Sequence, residues 1–323
     1  MLRGPMNEFE IIAEIFAPLA KDPGAFGLKD DAAAIAARPG FDLIVTTDQI
    51  AEGSDFFAFD PAASIAQKAL RVNLSDLAAK GATPEFYLLN LVLPPGFTRE
   101  WLSDFASGLK ADQGRFGISL LGGDTSRGEV LAIAVTAFGF VPEGKMIKRS
   151  GARAGDGVYV TGTIGDSGGG LAIFRREKHS LDEAARDHLI GSYRVPEPRV
   201  SFGASLRDLA SASVDVSDGL IADLGHIAAA SSAAIAVEAE RIPLSTPLKA
   251  FWGEGIEAIS RAATSGDDYQ IAFTADPARE DAIRAAAKGI AITRIGTVRA
   301  GEGVALVHKG QPVALSKTGY RHF

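Results

Sequence analysis

Ala62 to Leu93 reads AASIAQKALRVNLSDLAAKGATPEFYLLNLVL. Pro61, just before it, suits a first helical turn, so a helix is expected over Ala62 to Lys80, stopped by Gly81. Glu85 to Leu93 (EFYLLNLVL) then reads as a strand closed by Pro94-Pro95. On the helix, Leu70, Leu74 and Leu77 form a core face, and Asn73 and Asp76, three apart, share the neighbouring face. A carboxylate therefore stands at the margin of a core.

Upstream, Phe41 to Thr47 (FDLIVTT) is expected as a buried strand ending at Asp48, and Phe9, Ile12, Phe16 and Leu19 give Asn7 to Leu19 the spacing of an amphipathic helix. Downstream, Thr98 can cap a helix through about Gln113 with Trp101, Phe105 and Leu109 on one face. Ile118 to Leu121 and Val130 to Val141 read as strands separated by the turn GGDTSRG. The glycine-rich stretch Pro142 to Gly157 marks a domain junction. The second half restarts with a strand at Val158 to Thr161 and the turn GTIGDSGGG. Ser217 is expected to cap a helix carrying Ile221, Leu224 and Ile227, and strands follow near Ile235 to Glu238, Tyr269 to Phe273 and Ala291 to Val298. Strands and helices mix in both halves without a regular βαβ period, which favours α+β over a doubly wound sheet.

The 323 residues suit two domains, divided here as 1–148 and 149–323. A net charge of −7 without a basic run argues against a nucleic-acid partner. No cysteine is present, which removes disulfides, thiolate metal sites and cysteine nucleophiles. Glu8, Glu10 and Glu14 interrupt the first apolar residues and no 18-residue apolar stretch exists, so neither a secretory leader nor a membrane helix is expected and a cytoplasmic location is. Met6 is a second candidate start, which would leave Met1 to Pro5 as a loose extension.

The informative feature is where the aspartates fall. Asp30 and Asp31 lie in a turn, Asp48 at a strand end, Asp76 on a helix, Asp124 in a Gly-Gly turn, Asp215 and Asp218 at a helix start, and Asp267 and Asp268 before a strand. Each alone could cap a helix or shape a turn. Together they occupy the places where loops converge at a sheet edge. If four or more meet, each pair near 4 Å costs on the order of 4 kcal/mol at an effective dielectric of 20. Several such pairs rival a domain stability of roughly 5–15 kcal/mol. Such a cluster implies bound cations, and oxygen donors without cysteine or a histidine pair select Mg²⁺, which normally shares its shell with substrate phosphates.

His179, His188, His226, His308 and His322 are dispersed, with no HExxH spacing, so a zinc hydrolase is not expected. Gly139 to Lys145 (GFVPEGK) fits GxxxxGK, yet Met146 cannot ligate Mg²⁺ and Pro142 lacks a donor for the phosphate cradle. GTIGDSGGG lacks GxGxxG spacing, and either an anion cradle or a tight strand-to-helix turn would account for it.

The ordered set DDAA (30–33), TTDQIAEG (46–53), NLSDLAAKGA (73–82), LLGGDT (120–125), KRSGARAGD (148–156), VTGTIGDS (160–167), DVSDGLIADL (215–224) and SGDDY (265–269), with the tail GYRHF (319–323), resembles the thiamine-monophosphate kinase family. That family belongs to the superfamily that also contains aminoimidazole ribonucleotide synthetase. The resemblance runs from about Phe9 to the tail. It implies an N-terminal α/β domain whose sheet pairs with that of a second subunit to make a barrel, and a C-terminal α+β domain. It also implies ATP and several Mg²⁺ ions in a cleft, with direct in-line transfer of the γ-phosphoryl group to thiamine monophosphate.

By the same resemblance Asp31, Asp48, Asp76, Asp124, Asp215 and Asp218 would be metal ligands, the first four catalytic, with Thr46 and Thr47 adding oxygens beside Asp48. Gly123 and Asp124 would contact the nucleotide, Arg149 would grip a phosphate and Ser217 would bond ATP. Asp267 and Tyr320 would face the thiamine. The chain departs from the family pattern at Lys29 and Lys80, at Asp55, which stands where a substrate-contacting His is usual, and at Asp267, one methylene shorter than the usual Glu. Two other readings stay open: another ATP-dependent member of the superfamily, similar to the ribonucleotide synthetases, and a non-catalytic acidic Ca²⁺-binding module, which would leave Arg149 and Ser217 without a task.

Overall fold

The computed structural model describes residues 6–320. The stretch Met1 to Pro5 and the Arg321-His322-Phe323 end of the tail motif lie outside the described residues. The chain divides into two compact units, Met1–Leu77 with Thr83–Gly144, and Ala78–Ala82 with Lys145–Phe323. Both mix helices with a sheet, so the two-domain α+β class holds.

The first unit opens with a four-residue helix, α1 (Glu8–Ile11), capped reciprocally by Asn7 and Glu10, which runs into a π turn (Ile12–Phe16) and a 3₁₀ turn (Ala17–Leu19). One regular helix was expected here. The wide π turn shifts the apolar stripe, so Ile11, Ile15, Phe16 and Leu19 are buried while Phe9 is 80% exposed. The sheet contains β1 (Phe41–Ala51), β2 (Thr83–Leu93), β3 (Ser119–Arg127) and β4 (Ala132–Pro142) in the order β1-β4-β2-β3. Two helices, α2 (Ala62–Ala79) and α3 (Arg99–Phe116), belong to this half of the sequence. They approach closely at Gly108, where a Cβ would stand 2.3 Å from the Ala63 carbonyl. A buried two-point ion pair, Arg71 Nε and Nη2 to the Asp112 carboxylate at 2.8 Å each, joins them as well.

Two strands correct the sequence reading. β1 does not stop at Asp48 but continues to Ala51, and it is not buried: Phe41, Leu43 and Val45 are 44%, 44% and 54% exposed. It is an edge strand, paired among the described residues only with β4, and its apolar residues alternate onto one uncovered face. GGDTSRG is not a turn; Gly122 to Arg127 continue β3 alongside β2 in parallel. Gly123 lies so tight on β2 that a Cβ would fall 1.7 Å from the Leu89 carbonyl oxygen. Gly123 serves close backbone approach, where the sequence suggested chain reversal.

The second unit is a seven-stranded sheet. Its strands are β5 (Gly157–Thr161), β6 (Ala212–Asp215), β7 (Ala234–Glu238), β8 (Ile271–Ala275), β9 (Ile292–Arg299), β10 (Gly303–His308) and β11 (Gln311–Pro312), in the order β11-β10-β7-β9-β5-β8-β6. β5 and β8 are buried on both faces. Their alternate side chains feed two cores: Val158, Val160 and Ala272 enter one, and Tyr159, Ile271 and Phe273 enter the other. The helices are α4 (Asp166–Phe174), α5 (Glu183–Arg194), α6 (Val200–Ser205), α7 (Leu220–Ser231), α8 (Thr246–Trp252), α9 (Ile256–Ala263) and α10 (Glu280–Ala286). α7 packs on the first core through Leu220, Ile221, Leu224 and Ile227; α6 and α10 contribute Phe202 and Ile283 to the second. Residues 78–82 belong to this unit because Ala78 enters the second core and Lys80 Nζ donates to the Ser213 carbonyl at 2.7 Å.

Candidate active site

In the first unit, β1 and α2 build one cluster. Thr46 and Asp48 share a face of β1, and Asn73 and Asp76 share a face of α2. The two faces meet: Thr46 Oγ1 donates to Asp76 Oδ2 at 2.5 Å, and the Asp48 amide donates to Asn73 Oδ1 at 3.0 Å. Asn73 is itself held by its Nδ2 bond to the Ala69 carbonyl, 3.1 Å. Thr47 does not join them, because the alternation of the strand sends its hydroxyl to β4, 3.1 Å from the Val135 carbonyl and 3.0 Å from Thr136 Oγ1. Asp55 closes the turn after β1: its Oδ2 accepts the Ala51 amide at 2.8 Å, and its carbonyl accepts Lys68 Nζ at 2.8 Å.

A cavity of about 600 Å³ lies at the other edge of the same sheet, lined by Asp30, Asp31, Asn90, Gly122, Gly123 and Asp124 and roofed by apolar residues of the N-terminal segment. Asp31 and Asp124 therefore share one enclosure. Asp48 does not reach it. The register runs Asp48 to Val135, Val135 to Leu89 and Leu89 to Gly123, so three strand spacings, about 14 Å, separate the two edges.

In the second unit three segments are laced by main-chain bonds. The Ser217 carbonyl accepts the Asp267 amide at 2.7 Å, the Val216 carbonyl accepts the Tyr269 amide at 2.8 Å, and the Asp218 carbonyl accepts the Tyr320 amide at 2.8 Å. Asp215, Ser217, Asp218, Asp267 and Tyr320 are thereby gathered. Asp267 and Tyr269 both hold positive φ, 63° and 50°, and the Tyr269 hydroxyl donates to Asp267 Oδ1 at 3.0 Å. Between them Asp268 is buried and accepts the Gly165 amide at 2.8 Å. Burial above all, with the charge of Asp166 adding to it, raises its pKa well above the ordinary carboxylate value. Arg149 is exposed, and its carbonyl accepts the Ser231 hydroxyl at the C-terminal end of α7, the end opposite Asp218.

Ser217 does not cap α7 as expected. Gly219 is the first flanking residue, and Asp223 Oδ2, from inside the first turn, accepts the amides of Asp218 at 3.1 Å and Gly219 at 3.0 Å. Burial first, and the charge of Asp218 second, push the Asp223 carboxyl up to about 7. His226 joins this pair: one ligand atom each from Asp218, Asp223 and His226 lie within 4.8 Å of one another. Sequence spacing treated His226 as solitary; the Asp-x-x-His interval on α7 was the available signal.

Residues 29–141 match the family model described as AIR synthase related protein, N-terminal domain, and residues 153–309 match the corresponding C-terminal domain. A thiamine-monophosphate kinase of Caulobacter vibrioides is 42% identical over 325 aligned residues, covering 98% of this chain and 91% of that protein. The chain belongs to the thiamine-monophosphate kinase family. The crystal structure of the thiamine-monophosphate kinase from Stenotrophomonas maltophilia K279a superposes with a TM-score of 0.85 at 38% identity, covering 95% of this chain and 98% of that one. A further thiamine-monophosphate kinase structure, described as AaThiL complexed with AMPPCP and TMP, gives a TM-score of 0.80 at 32% identity with both chains fully covered.

Proposed function

We infer that the chain is a thiamine-monophosphate kinase that transfers the γ-phosphoryl group of ATP to the phosphate of thiamine monophosphate, releasing thiamine diphosphate and ADP. Similarity over nearly the whole chain to kinases of that name carries this reading.

The donor set suits Mg²⁺: Thr46, Asp48 and Asp76 offer oxygen alone, and so do Asp31 and Asp124. Bound there, Mg²⁺ would neutralise the charge that shifts during transfer. In this proposal the chain's own residues hold and orient. Asp31, Asp48, Asp76 and Asp124 supply carboxylates, and so do Asp215 and Asp218. Gly123, without a side chain, leaves its backbone open to the cavity for a nucleotide phosphate. Arg149 pairs with a phosphate, the Ser217 hydroxyl bonds ATP, and Asp267 and Tyr320 face the thiamine. The acceptor is a phosphate already ionised at neutral pH, so no side chain is needed as a general base. Position and charge neutralisation do the work.

We further propose a homodimer. The stripe Phe41, Leu43 and Val45 lies on an open edge strand, and β3 is the other open edge of the same sheet. A second copy closes both edges at once, which a different partner at one edge does not. Within one chain Asp48 and Asp124 lie about 14 Å apart across the sheet, a gap that no single ion spans, since cation–oxygen distances are roughly 2.0–2.6 Å. A cytoplasmic location, where ATP is supplied, belongs to the same proposal.

The test is to mix the purified protein with MgATP and thiamine monophosphate and follow both products by chromatography. Equal amounts of ADP and thiamine diphosphate are expected. ADP without thiamine diphosphate, or product only with another acceptor, would overturn the assignment.

A further inference from the structure

Tyr269 is almost fully buried, and packing alone asks nothing of a hydroxyl there; phenylalanine would fill the same space. The hydroxyl is instead committed to Asp267 Oδ1 at 3.0 Å. The segment making this bond is held in an unfavourable shape. Gly266, Asp267 and Tyr269 have φ of 78°, 63° and 50°, a region that a bulky aromatic residue rarely enters. Surrounding bonds over-determine it. The amides of Asp267 and Tyr269 are fixed on the Ser217 and Val216 carbonyls, and Asp268 is anchored on the Gly165 amide. Gly266 has no room for a side chain, since a Cβ would lie 2.7 Å from the Ser217 carbonyl oxygen. Strain maintained this firmly is characteristic of sites where a side chain must be presented in one orientation.

We propose that Tyr269 is a positioning residue for the acceptor: it fixes the Asp267 carboxylate in the orientation that receives the cationic, amine-bearing heteroaromatic rings of thiamine monophosphate. This rests on the reading that Asp267 faces that substrate. A thiazolium carries a positive charge and an aminopyrimidine offers N–H donors, so a fixed carboxylate recognises both by charge and hydrogen bonding. An aspartate has a single methylene with which to search, so its aim depends on the neighbour that holds it.

The test is steady-state kinetics on the full chain with each substrate varied in turn, for Tyr269→Phe, Asp267→Asn and the double variant, with melting temperatures alongside. Tyr269→Phe is expected to raise KM for thiamine monophosphate about 3- to 10-fold, with KM for ATP unchanged and the melting temperature lowered by no more than about a few degrees. Asp267→Asn should raise the acceptor KM further, and the double variant should match Asp267→Asn alone, because a brace has no effect once its carboxylate is gone. The inference is overturned if Tyr269→Phe leaves the acceptor KM unchanged while Asp267→Asn raises it, if the two effects multiply, or if Tyr269→Phe shifts melting and both KM values together. If Asp267→Asn itself leaves the acceptor KM unaltered, the placement of the acceptor at Asp267 fails, and the role of Tyr269 with it.

Discussion

Asp76 shows how much one side chain can be asked to do. It is half-buried, it accepts a hydroxyl from Thr46 across the β1–α2 junction, and among the described residues no side chain of opposite charge is bonded to it. Asp76→Asn keeps the shape and the Thr46 bond while removing the charge, so kcat is expected to fall at least about 100-fold with circular dichroism and melting nearly unchanged. A variant with normal turnover would remove Asp76 from the cation site. Asp223 gives a second prediction at this scale, read from thermal melting in chelator without Mg²⁺. Its carboxyl is raised from 3.8 to about 7 on folding, so between those values the folded state holds more protons than the unfolded one. Stability attributable to this group is therefore largest at low pH and declines as pH rises from about 4 to about 7. Asp223→Asn keeps an acceptor for the two amides and should flatten that decline; an unchanged slope would show that the group ionises normally.

At the scale of the element, β3 is the instructive strand. Gly123 has φ 152° and no space for a Cβ against Leu89, so Gly123→Ala must push β3 off β2. The melting temperature should drop by several degrees and nucleotide binding should weaken together with it. If binding alone suffers, the close strand contact is not what the glycine protects. The same strand marks the boundary of what sequence could tell. Asn73 and Asp76 were legible because a helix fixes which residues share a face, whatever surrounds it. The Gly-Gly-Asp of β3 was not, because glycine permits both a turn and a tight strand contact, and only the position of β2 decides between them. β1 was misjudged for a related reason: an apolar run looks the same whether it is covered by its own chain or left at an edge. Asp223 and His226 were missed because a first-turn carboxylate that bonds backward to the helix start looks, in sequence, like an ordinary surface residue.

For the whole molecule, the two open edges of the first sheet determine where a complete site can form. Asp48 and Asp124 stand three strands apart in one chain. If each site draws one carboxylate from each subunit, Asp48→Asn and Asp124→Asn are each inactive as pure dimers, whereas a mixed dimer keeps one intact site. Subunits refolded together in equal amounts should then recover about a quarter of wild-type activity, since half the dimers are mixed and each has one working site of two. No recovery would place both carboxylates of a site in the same chain.

The uncovered stripe of β1 has a consequence for handling as well as for assembly. A pleated edge carrying Phe41, Leu43 and Val45 is a ready template for indiscriminate strand addition. Protein diluted until its subunits separate should lose activity irreversibly, accompanied by light scattering and by increased binding of amyloid dyes. Val45→Lys on that face should suppress the scattering, even though the resulting chains no longer pair.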